Sequence, residues 1–446
     1  MLPLSLSHKV NTSAKLTNRR IFIFWGPLAL TWLMMALEQP ILISFITRLD
    51  DAKINLAAFG IAGAFAMIIE SPIIMLMSAS TALVTGPNSY WKLKKFADIL
   101  NAAITATQLI ILIPPVFNFI AIDLMEVPED VARLAHIALF IFLPWAASIG
   151  YRRFYQGILI RNNLTRKVTY GTMVRLVVIV VAGLVLYSAG VPGAYAGAGA
   201  MTMAVVIEAI ATRIMVDRTI KSFLKKEDKT DGNLTMRSIS KFYYPLALTS
   251  MLSLGVHPFV TFFMGRSHMA LESLAVLPVV NSLVFIFRSV GLSFQEVNIA
   301  LIGERRENYR TLGNFAMYLG IIVTVLISVL AFTPLADFWF IRVSGLSAEL
   351  AELSYLPLKI LIFLPALTVL LNFQRSTLIV NGTNGPISVA TAIELAAIII
   401  MLLVFVIVLN LPGVVAAAMA YMVGRSLSNI YLIPKQVYAV KAWRRE

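Results

Sequence analysis

The chain has 446 residues, of which 59% are hydrophobic and 13% charged, and its mean hydropathy is +0.82. Soluble domains carry about 25% charged residues, so this composition excludes a soluble globular protein and indicates a polytopic membrane protein. The chain contains no cysteine, which excludes disulfides, thiol chemistry and cysteine metal sites.

Apolar runs of membrane-spanning length recur along the whole chain. Each must form a helix, because lipid cannot satisfy the polar groups of an open backbone. The first 20 residues are polar and basic, and the run after them is too long for a cleavable signal peptide. The sequence predicts twelve helices, at 21–47, 54–84, 97–122, 134–160, 168–190, 193–215, 242–265, 271–302, 311–335, 353–381, 387–410 and 412–434.

The basic residues are distributed unevenly between the two ends of these helices. Of the 37 Lys and Arg residues, 24 lie on one side, 5 on the other and 8 within helices. By the positive-inside rule the rich side is cytoplasmic and holds both termini, which predicts a multi-pass protein of the cell (inner) membrane. The net charge of +14 is then explained by topology, and no nucleic-acid partner is expected.

A repeat divides the predicted helices into two sets of six. "FWGPLALT" begins at Phe24 and "FYYPLALT" at Phe242, an offset of 218 residues. At this offset nine of 25 positions are identical, against about two or three expected by chance. Later stretches match at offsets of 220 to 221. The predicted division is an N-terminal segment at 1–20, an N-lobe at 21–215, a linker at 216–241, a C-lobe at 242–434 and a cytoplasmic tail at 435–446.

Two repeats with an even number of helices have the same orientation in the membrane. They are related by a pseudo-two-fold axis along the membrane normal, an arrangement typical of rocking transporters. Pro40 and Pro258 lie inside the first helix of each lobe, where each frees a carbonyl four residues back and favours a kink. Matched kinks indicate a central binding site. The alternative is a kink that serves packing only.

Polar residues close to these prolines are candidates for substrate contact. Glu38 and Gln39 precede Pro40, and His257 precedes Pro258. A proton-titrating role for Glu38 or His257 and a simple hydrogen-bonding role are both open. Arg152 and Gln156 become further candidates if the fourth helix continues through them, since their spacing places both on one face. If that helix ends earlier, Arg152 and its neighbour Arg153 lie at the membrane surface.

Three helices of the C-terminal half carry polar stripes that each contain an arginine. A charge at mid-bilayer costs at least about 2.5 to 3.5 kcal/mol and should face a cavity or a partner. Guanidinium groups bind carboxylate or phosphate in a bidentate manner, so convergent stripes suit an anionic substrate. The alternative is that each arginine pairs with an intramembrane glutamate as structural support. The residues concerned are Arg288 with Gln295, Asn372 with Arg375, and Arg425.

The repeat also relates two intramembrane charges of opposite sign. Glu70 is the counterpart of Arg288 at the offset of 218. Residues related by a two-fold axis approach one another when they lie near it. The sequence therefore predicts that Glu70 and Arg288 face each other across the lobe interface, as a gate or substrate-linked ion pair, with Glu38 and His257 as further gate or coupling residues.

No enzyme signature is present in the sequence. There is no Walker A sequence, no HExxH motif and no cysteine pair, and the chain has only four histidines. We expect neither catalysis nor a metal site nor an organic cofactor. Energy must come from a gradient, with H+ or Na+ as possible coupling ions, or from the substrate itself.

Several apolar stretches, in their order along the chain, resemble one known superfamily. They are "LAAFGIAGAF" from Leu56, "YPLAL" from Tyr244, "PLKILIFLP" from Pro357 and "LPGVVAAAMAYMVG" from Leu411, together with Glu38 and Gln39. The chain resembles the multidrug/oligosaccharidyl-lipid/polysaccharide (MOP) flippase superfamily, most closely the progressive ankylosis (ANK) family, with MATE exporters as relatives. The resemblance implies a MATE-like fold and export of small anions such as citrate. The aspartate often found in the first helix of MATE exporters is missing.

These observations support three transport hypotheses. The first is a monomeric secondary transporter of organic or phosphate-containing anions that works by alternating access of two lobes in the lipid bilayer. The second is MATE-like efflux of cationic or amphipathic drugs coupled to protons or sodium. The third is a flippase for a phosphate-headed lipid. A membrane scaffold or receptor is disfavoured, since it has no need of paired kinks and buried charges.

Overall fold

The computed structural model describes residues 16–162, 164–224, 234–302, 306–381, 383 and 385–443. In these ranges the chain forms helices and no strand, which confirms the predicted all-α fold. The N-lobe holds α1 Asn18–Ile46, α2 Ala52–Leu83, α3 Pro87–Ile111, α4 Glu129–Arg161, α5 Thr165–Ser188 and α6 Gly193–Leu224. The C-lobe holds α7 Met236–Gly265, α8 Ala270–Leu301, α9 Tyr309–Phe332, α10 Ala348–Val380, α11 Gly385–Val408 and α12 Gly413–Trp443.

The number of membrane-crossing helices is close to the twelve predicted from the sequence. In the described ranges ten helices are long and apolar enough to cross a membrane, and α3 becomes an eleventh when joined to the segment Pro114–Leu124, which is bent from it by 76°. The remaining helix, α12, is 31 residues long but more polar. Its polar side chains Ser428, Asn429 and Gln436 are buried in the bundle, which explains why its composition alone is not typical of a lipid-exposed helix.

Helix boundaries differ from the prediction where charged residues lie on helices. The third helix begins at Pro87 instead of residue 97. Its first turns are basic but helical, and Lys94 pairs there with Asp98 at 2.9 Å, one helical turn away. Helix α6 continues to Leu224 and α7 begins at Met236, so the linker is much shorter than 216–241. Most of what remains, 225–233, lies outside the described residues, as does 1–15. The predicted tail from 435 is helical to Trp443.

The two lobes contact each other through the first halves of their first helices. Trp25 of α1 donates from Nε1 to Ser293 Oγ of α8, at 2.7 Å. Tyr243 of α7 donates to the carbonyl of Pro72, at the point where α2 is interrupted by a turn of 3-10 helix. Trp25 and Tyr243 are counterparts at the offset of 218. The pseudo-two-fold relation is therefore visible in the interface itself, on the face where α1 begins and α12 ends, which we call the basic face.

The lobes also meet on the other side of the bundle, which we call the opposite face. Arg48, at the end of α1, donates to the carbonyl of Arg342 in the C-lobe at 2.7 Å. Its counterpart Arg266, at the end of α7, pairs with Glu126 of the N-lobe at 3.1 Å. Lys53 of α2 and Glu272 of α8 add a further interlobe ion pair at 2.6 Å. These contacts close the opposite face.

The helices around the two predicted proline kinks differ between the lobes. Helix α7 is interrupted at Gly255, beside the Leu254 carbonyl that Pro258 leaves without its usual donor. Helix α1 runs without interruption through Pro40. The asymmetry follows from the local sequence, because glycine precedes the C-lobe proline by three residues whereas Leu37 occupies the corresponding position in α1.

Candidate functional site

A cavity of about 310 Å³ lies between the two lobes, bounded by α1, α2, α4 and α6 on one side and by α7 and α8 on the other. Its wall is mainly apolar and unusually rich in methionine and aromatic side chains. The polar groups are few, and Glu38 is the only carboxylate among the described residues that line it. No Lys or Arg side chain from the described part of the chain lines the cavity. The apolar lining includes Met35, Met67, Met201, Met264, Phe59, Phe142, Trp145 and Phe285, and the polar lining includes Glu38, Gln39, His257, Thr261, Asn281 and Ser282.

Three of the residues predicted to contact substrate therefore line this cavity: Glu38, Gln39 and His257. Gln39 and Met201 are in contact within the N-lobe wall of the cavity, with Nε2 and Sδ 3.9 Å apart. His257 lies within electrostatic range of Arg288, which is farther along α8 than the lining residue Phe285. The cavity thus includes two neighbouring positions at which the repeats diverge, since Glu38 and Gln39 correspond to Val256 and His257.

Glu38 also belongs to a buried network of charges inside the N-lobe. Its carboxylate accepts from Arg175 Nε of α5 at 2.9 Å. Arg175 in turn lies 3.5 Å from Glu208 of α6, and Glu208 accepts from Arg152 of α4 at 2.5 Å and from Gln156 at 3.4 Å. The fourth helix therefore does continue through Arg152, which is 4% exposed.

This N-lobe network contains as many carboxyl groups as guanidinium groups. Glu70 interacts electrostatically with Arg152, Arg153 and Arg175, although it forms no ion pair within 4 Å with any described residue. Three carboxylates and three guanidinium groups thus share one region of the lobe. Burying an ion costs several kcal/mol unless opposite charges and hydrogen bonds compensate it. The network has the composition expected of structural support, with Glu38 at its edge in the cavity wall.

The arginines predicted from the C-lobe stripes also come together, within the C-lobe. Arg425 of α12 contacts Glu394 of α11 through Nε at 2.9 Å and Nη2 at 2.7 Å. Arg288 and Arg375 both lie within electrostatic range of Arg425 and Glu394. Arg375 donates to Thr391 Oγ1 at 3.0 Å. We call Arg288, Arg375, Arg425 and Glu394 the C-lobe arginine cluster.

The predicted ion pair between Glu70 and Arg288 is wrong. Glu70 faces the arginines of the N-lobe, and Arg288 faces Arg425 and Glu394 of the C-lobe. A two-fold axis maps the interior of one lobe onto the interior of the other. Counterparts that point into their own lobes therefore point away from each other, and only residues on the facing surfaces meet.

The remaining predicted residues, Asn372 and Gln295, are not among the described residues that line the cavity. Asn372 donates to the Gly291 carbonyl of α8 at 3.2 Å and to the Thr368 carbonyl at 3.0 Å, so it joins two helices of the C-lobe. Gln295 is half-buried on α8 and is not among the residues that line the cavity.

Sequence reasoning missed two groups of residues. Arg175 and Glu208 were recognisable as intramembrane charges, but nothing in a single sequence shows that they join Glu38 and Arg152. The methionines of the cavity wall come from four helices and form no motif along the chain. The only signal for them is proximity, since Met35 precedes Glu38 by three residues and lies on its face of α1.

Comparison with solved structures gives matches over nearly the whole chain. The structure is similar to an inward-facing multidrug resistance MATE family transporter of the MOP superfamily, with a TM-score of 0.72 and 14% identity, covering 95% of this chain and 99% of that one. It is similar to the lipid II flippase MurJ in an inward closed conformation, with a TM-score of 0.70 and 15% identity, covering 93% and 87% of the two chains. An outward-facing MATE transporter gives a TM-score of 0.62 at 15% identity, covering 96% and 97%.

These similarities show the fold, which is that of MATE transporters. No family model matches the sequence, and no curated protein does either.

Proposed function

We propose that this chain is a secondary transporter that moves amphipathic organic molecules, neutral or cationic, by alternating access of its two lobes. The observation that carries the proposal is the lining of the interlobe cavity, with four methionines, four large aromatic side chains and the single carboxylate of Glu38. Methionine adapts to apolar ligands of varied shape, and aromatic faces attract cations. Such a wall suits substrates of varied shape. The multidrug resistance named for the similar MATE structure agrees with this class.

Substrate and the N-lobe network would compete for the carboxylate of Glu38. Its carboxylate is held by Arg175 and lines the cavity at the same time. A cation entering the cavity would draw Glu38 from Arg175, and so would a proton or a sodium ion. Exchange of substrate for one of these ions at the same carboxylate gives a simple basis for coupling to a gradient.

Transport of small anions, as expected from the resemblance to the ANK family, is the second candidate. The C-lobe arginine cluster favours it, because three guanidinium groups share one carboxylate there. It ranks second because Arg152, Arg288, Arg375 and Arg425 do not line the cavity. The similarity to the lipid II flippase MurJ supports a further candidate, flipping of a phosphate-headed lipid. That activity would depend on the same arginines.

The test is flux of ethidium and of citrate through purified protein in proteoliposomes with a proton or sodium gradient. We expect ethidium flux in the wild type and a loss of roughly tenfold or more in Glu38→Gln, since a contact to a charged group contributes about 1.5–3 kcal/mol. Glu349→Gln, an exposed change of the same kind on the opposite face, is the control.

Two other results of this experiment would reject the proposal. Citrate flux that Arg288→Ala abolishes, without ethidium flux, would reject the amphipathic substrate in favour of the anion. Absence of any flux for either solute under both gradients would reject transport of these classes and favour a scaffold or receptor.

A further inference from the structure

The charges buried in the two lobes do not match. In the N-lobe three carboxylates accompany three arginines. The C-lobe arginine cluster has three guanidinium groups and the single carboxylate of Glu394. Among the described residues the electrostatic neighbours of Arg288 and Arg375 include no other carboxylate. Among the described residues the C-lobe arginine cluster thus has two more guanidinium groups than carboxylates, on side chains that are at least half-buried.

The repeat shows that this excess does not come from a simple copy of the N-lobe. The N-lobe carboxylates Glu70 and Glu208 correspond to Arg288 and Ser428 at offsets of 218 and 220. Ser428 is fully buried, and its hydroxyl has no hydrogen-bond partner among the described residues. One carboxylate position of the N-lobe is therefore an arginine in the C-lobe, and another is a small neutral side chain.

Part of the hydrogen-bond capacity of the cluster is also unused. The Nε groups of Arg288 and Arg375 are inaccessible and find no acceptor in the described part of the chain. No described residue accepts any hydrogen bond from Arg288 at all, whereas Arg375 reaches only the Thr391 hydroxyl. Buried donors of this kind normally have partners, and a guanidinium group presents its donors in a fork that matches two oxygens of one anion.

We infer that the C-lobe arginine cluster binds an oxyanion, of the phosphate or carboxylate type, at a site separate from the interlobe cavity. Arg288 supplies the free guanidinium, Arg375 supplies the second charge, and Glu394 holds Arg425 beside them. The anion compensates the charge that the C-lobe leaves unbalanced. This site goes beyond the proposed transport of amphipathic molecules, because none of its arginines lines the cavity in which those molecules would bind.

Thr391 offers a matched pair of variants that tests this site. Its hydroxyl already contacts Arg375 at 3.0 Å, so Thr391→Asp places a carboxylate of similar size where we expect the anion to act. Thr391→Asn has the same shape without the charge. An internal carboxylate competes with a bound anion, so we expect Thr391→Asp to bind anion at least about tenfold more weakly than Thr391→Asn, a difference of about 1.4 kcal/mol.

The measurement is equilibrium binding of radiolabelled inorganic phosphate to purified protein in a neutral detergent at low ionic strength. We expect saturable binding of one phosphate per chain, and loss of that binding in Arg288→Gln. Arg133→Gln, a highly exposed arginine on α4, controls for non-specific attraction. Each variant is first checked for a single symmetric peak in size-exclusion chromatography, and Thr391→Asp serves where Arg288→Gln fails to fold.

A second arm distinguishes a free ion from a lipid headgroup. Nanodiscs of phosphatidylcholine with and without phosphatidic acid are compared by thermal unfolding, because a ligand of the native state raises the Tm. Stabilisation by phosphatidic acid in Thr391→Asn but not in Thr391→Asp assigns the site to a headgroup. Equal behaviour of the two Thr391 variants in both arms, or no saturable binding in either, would overturn the inference. Neither arm measures flux, so both results are independent of the proposed function.

Discussion

Replacement of Glu208 by glutamine is expected to destabilise the protein by about 3–5 kcal/mol, the typical cost of leaving a buried charge without its partner. Glu208 is fully buried and accepts from Arg152 and Gln156, and it lies 3.5 Å from Arg175. Glutamine keeps the size of the side chain but removes its charge. The N-lobe would then hold three arginines and two carboxylates.

Thermal unfolding of the purified protein measures this effect, and we expect the Tm to fall by several degrees. The double variant Glu208→Gln with Arg152→Gln restores the charge balance and should recover part of the loss, because the two residues form one pair. Glu349→Gln, an exposed change in the first turn of α10, should leave the Tm nearly unchanged. A single variant as stable as the wild type would show that the network contributes no stability.

A methyl group at Gly265 is expected to open the opposite face. A Cβ there would lie 2.2 Å from the carbonyl oxygen of Met125 in the N-lobe, so the two backbones could not keep their present contact. Overpacking of this kind costs typically about 1–3 kcal/mol. Because this cost falls only on the closed state, it shifts the equilibrium toward the open state by roughly five- to 140-fold.

Thiol labelling measures this shift well, because the chain contains no cysteine. Asn281→Cys places a single thiol in the cavity wall, and a membrane-impermeant reagent is applied from the opposite face in proteoliposomes. Labelling should be faster in the Gly265→Ala background. Gly26→Ala is the control, since nothing lies within 4 Å of a Cβ built there. Equal labelling rates in the two glycine variants would mean that Gly265 does not hold the face closed.

The all-helical fold and the twelve helices could be predicted because lipid leaves few alternatives for an apolar chain. The repeat offset of 218 located the lobes and later identified real counterparts, such as Trp25 with Tyr243 at the interface. The start of α3 was missed because its basic first turns have no apolar signature. Helical structure at a charged membrane edge is set by tertiary contacts, such as the pair of Tyr243 with Phe96.

The candidate site was predicted only in part. Glu38, Gln39 and His257 were found because they adjoin prolines at matching positions, and all three line the cavity. The partners of the arginines were not predictable. Helical periodicity gives the face on which a side chain lies, but not which neighbouring helix that face meets. For this reason Glu70 was assigned to Arg288 across the interface, whereas it faces Arg152 and Arg175 in its own lobe.

Alternating access requires the two lobes to rock about a common cavity, and paired distance measurements test this motion most directly. Spin labels at Glu129 and Glu349 report the opposite face, and labels at Lys95 and Arg310 report the basic face; all four positions are exposed. On addition of ethidium and a proton or sodium gradient, we predict that the first distance increases while the second decreases. Distances that change in the same direction on both faces, or that do not change on either, would contradict alternating access.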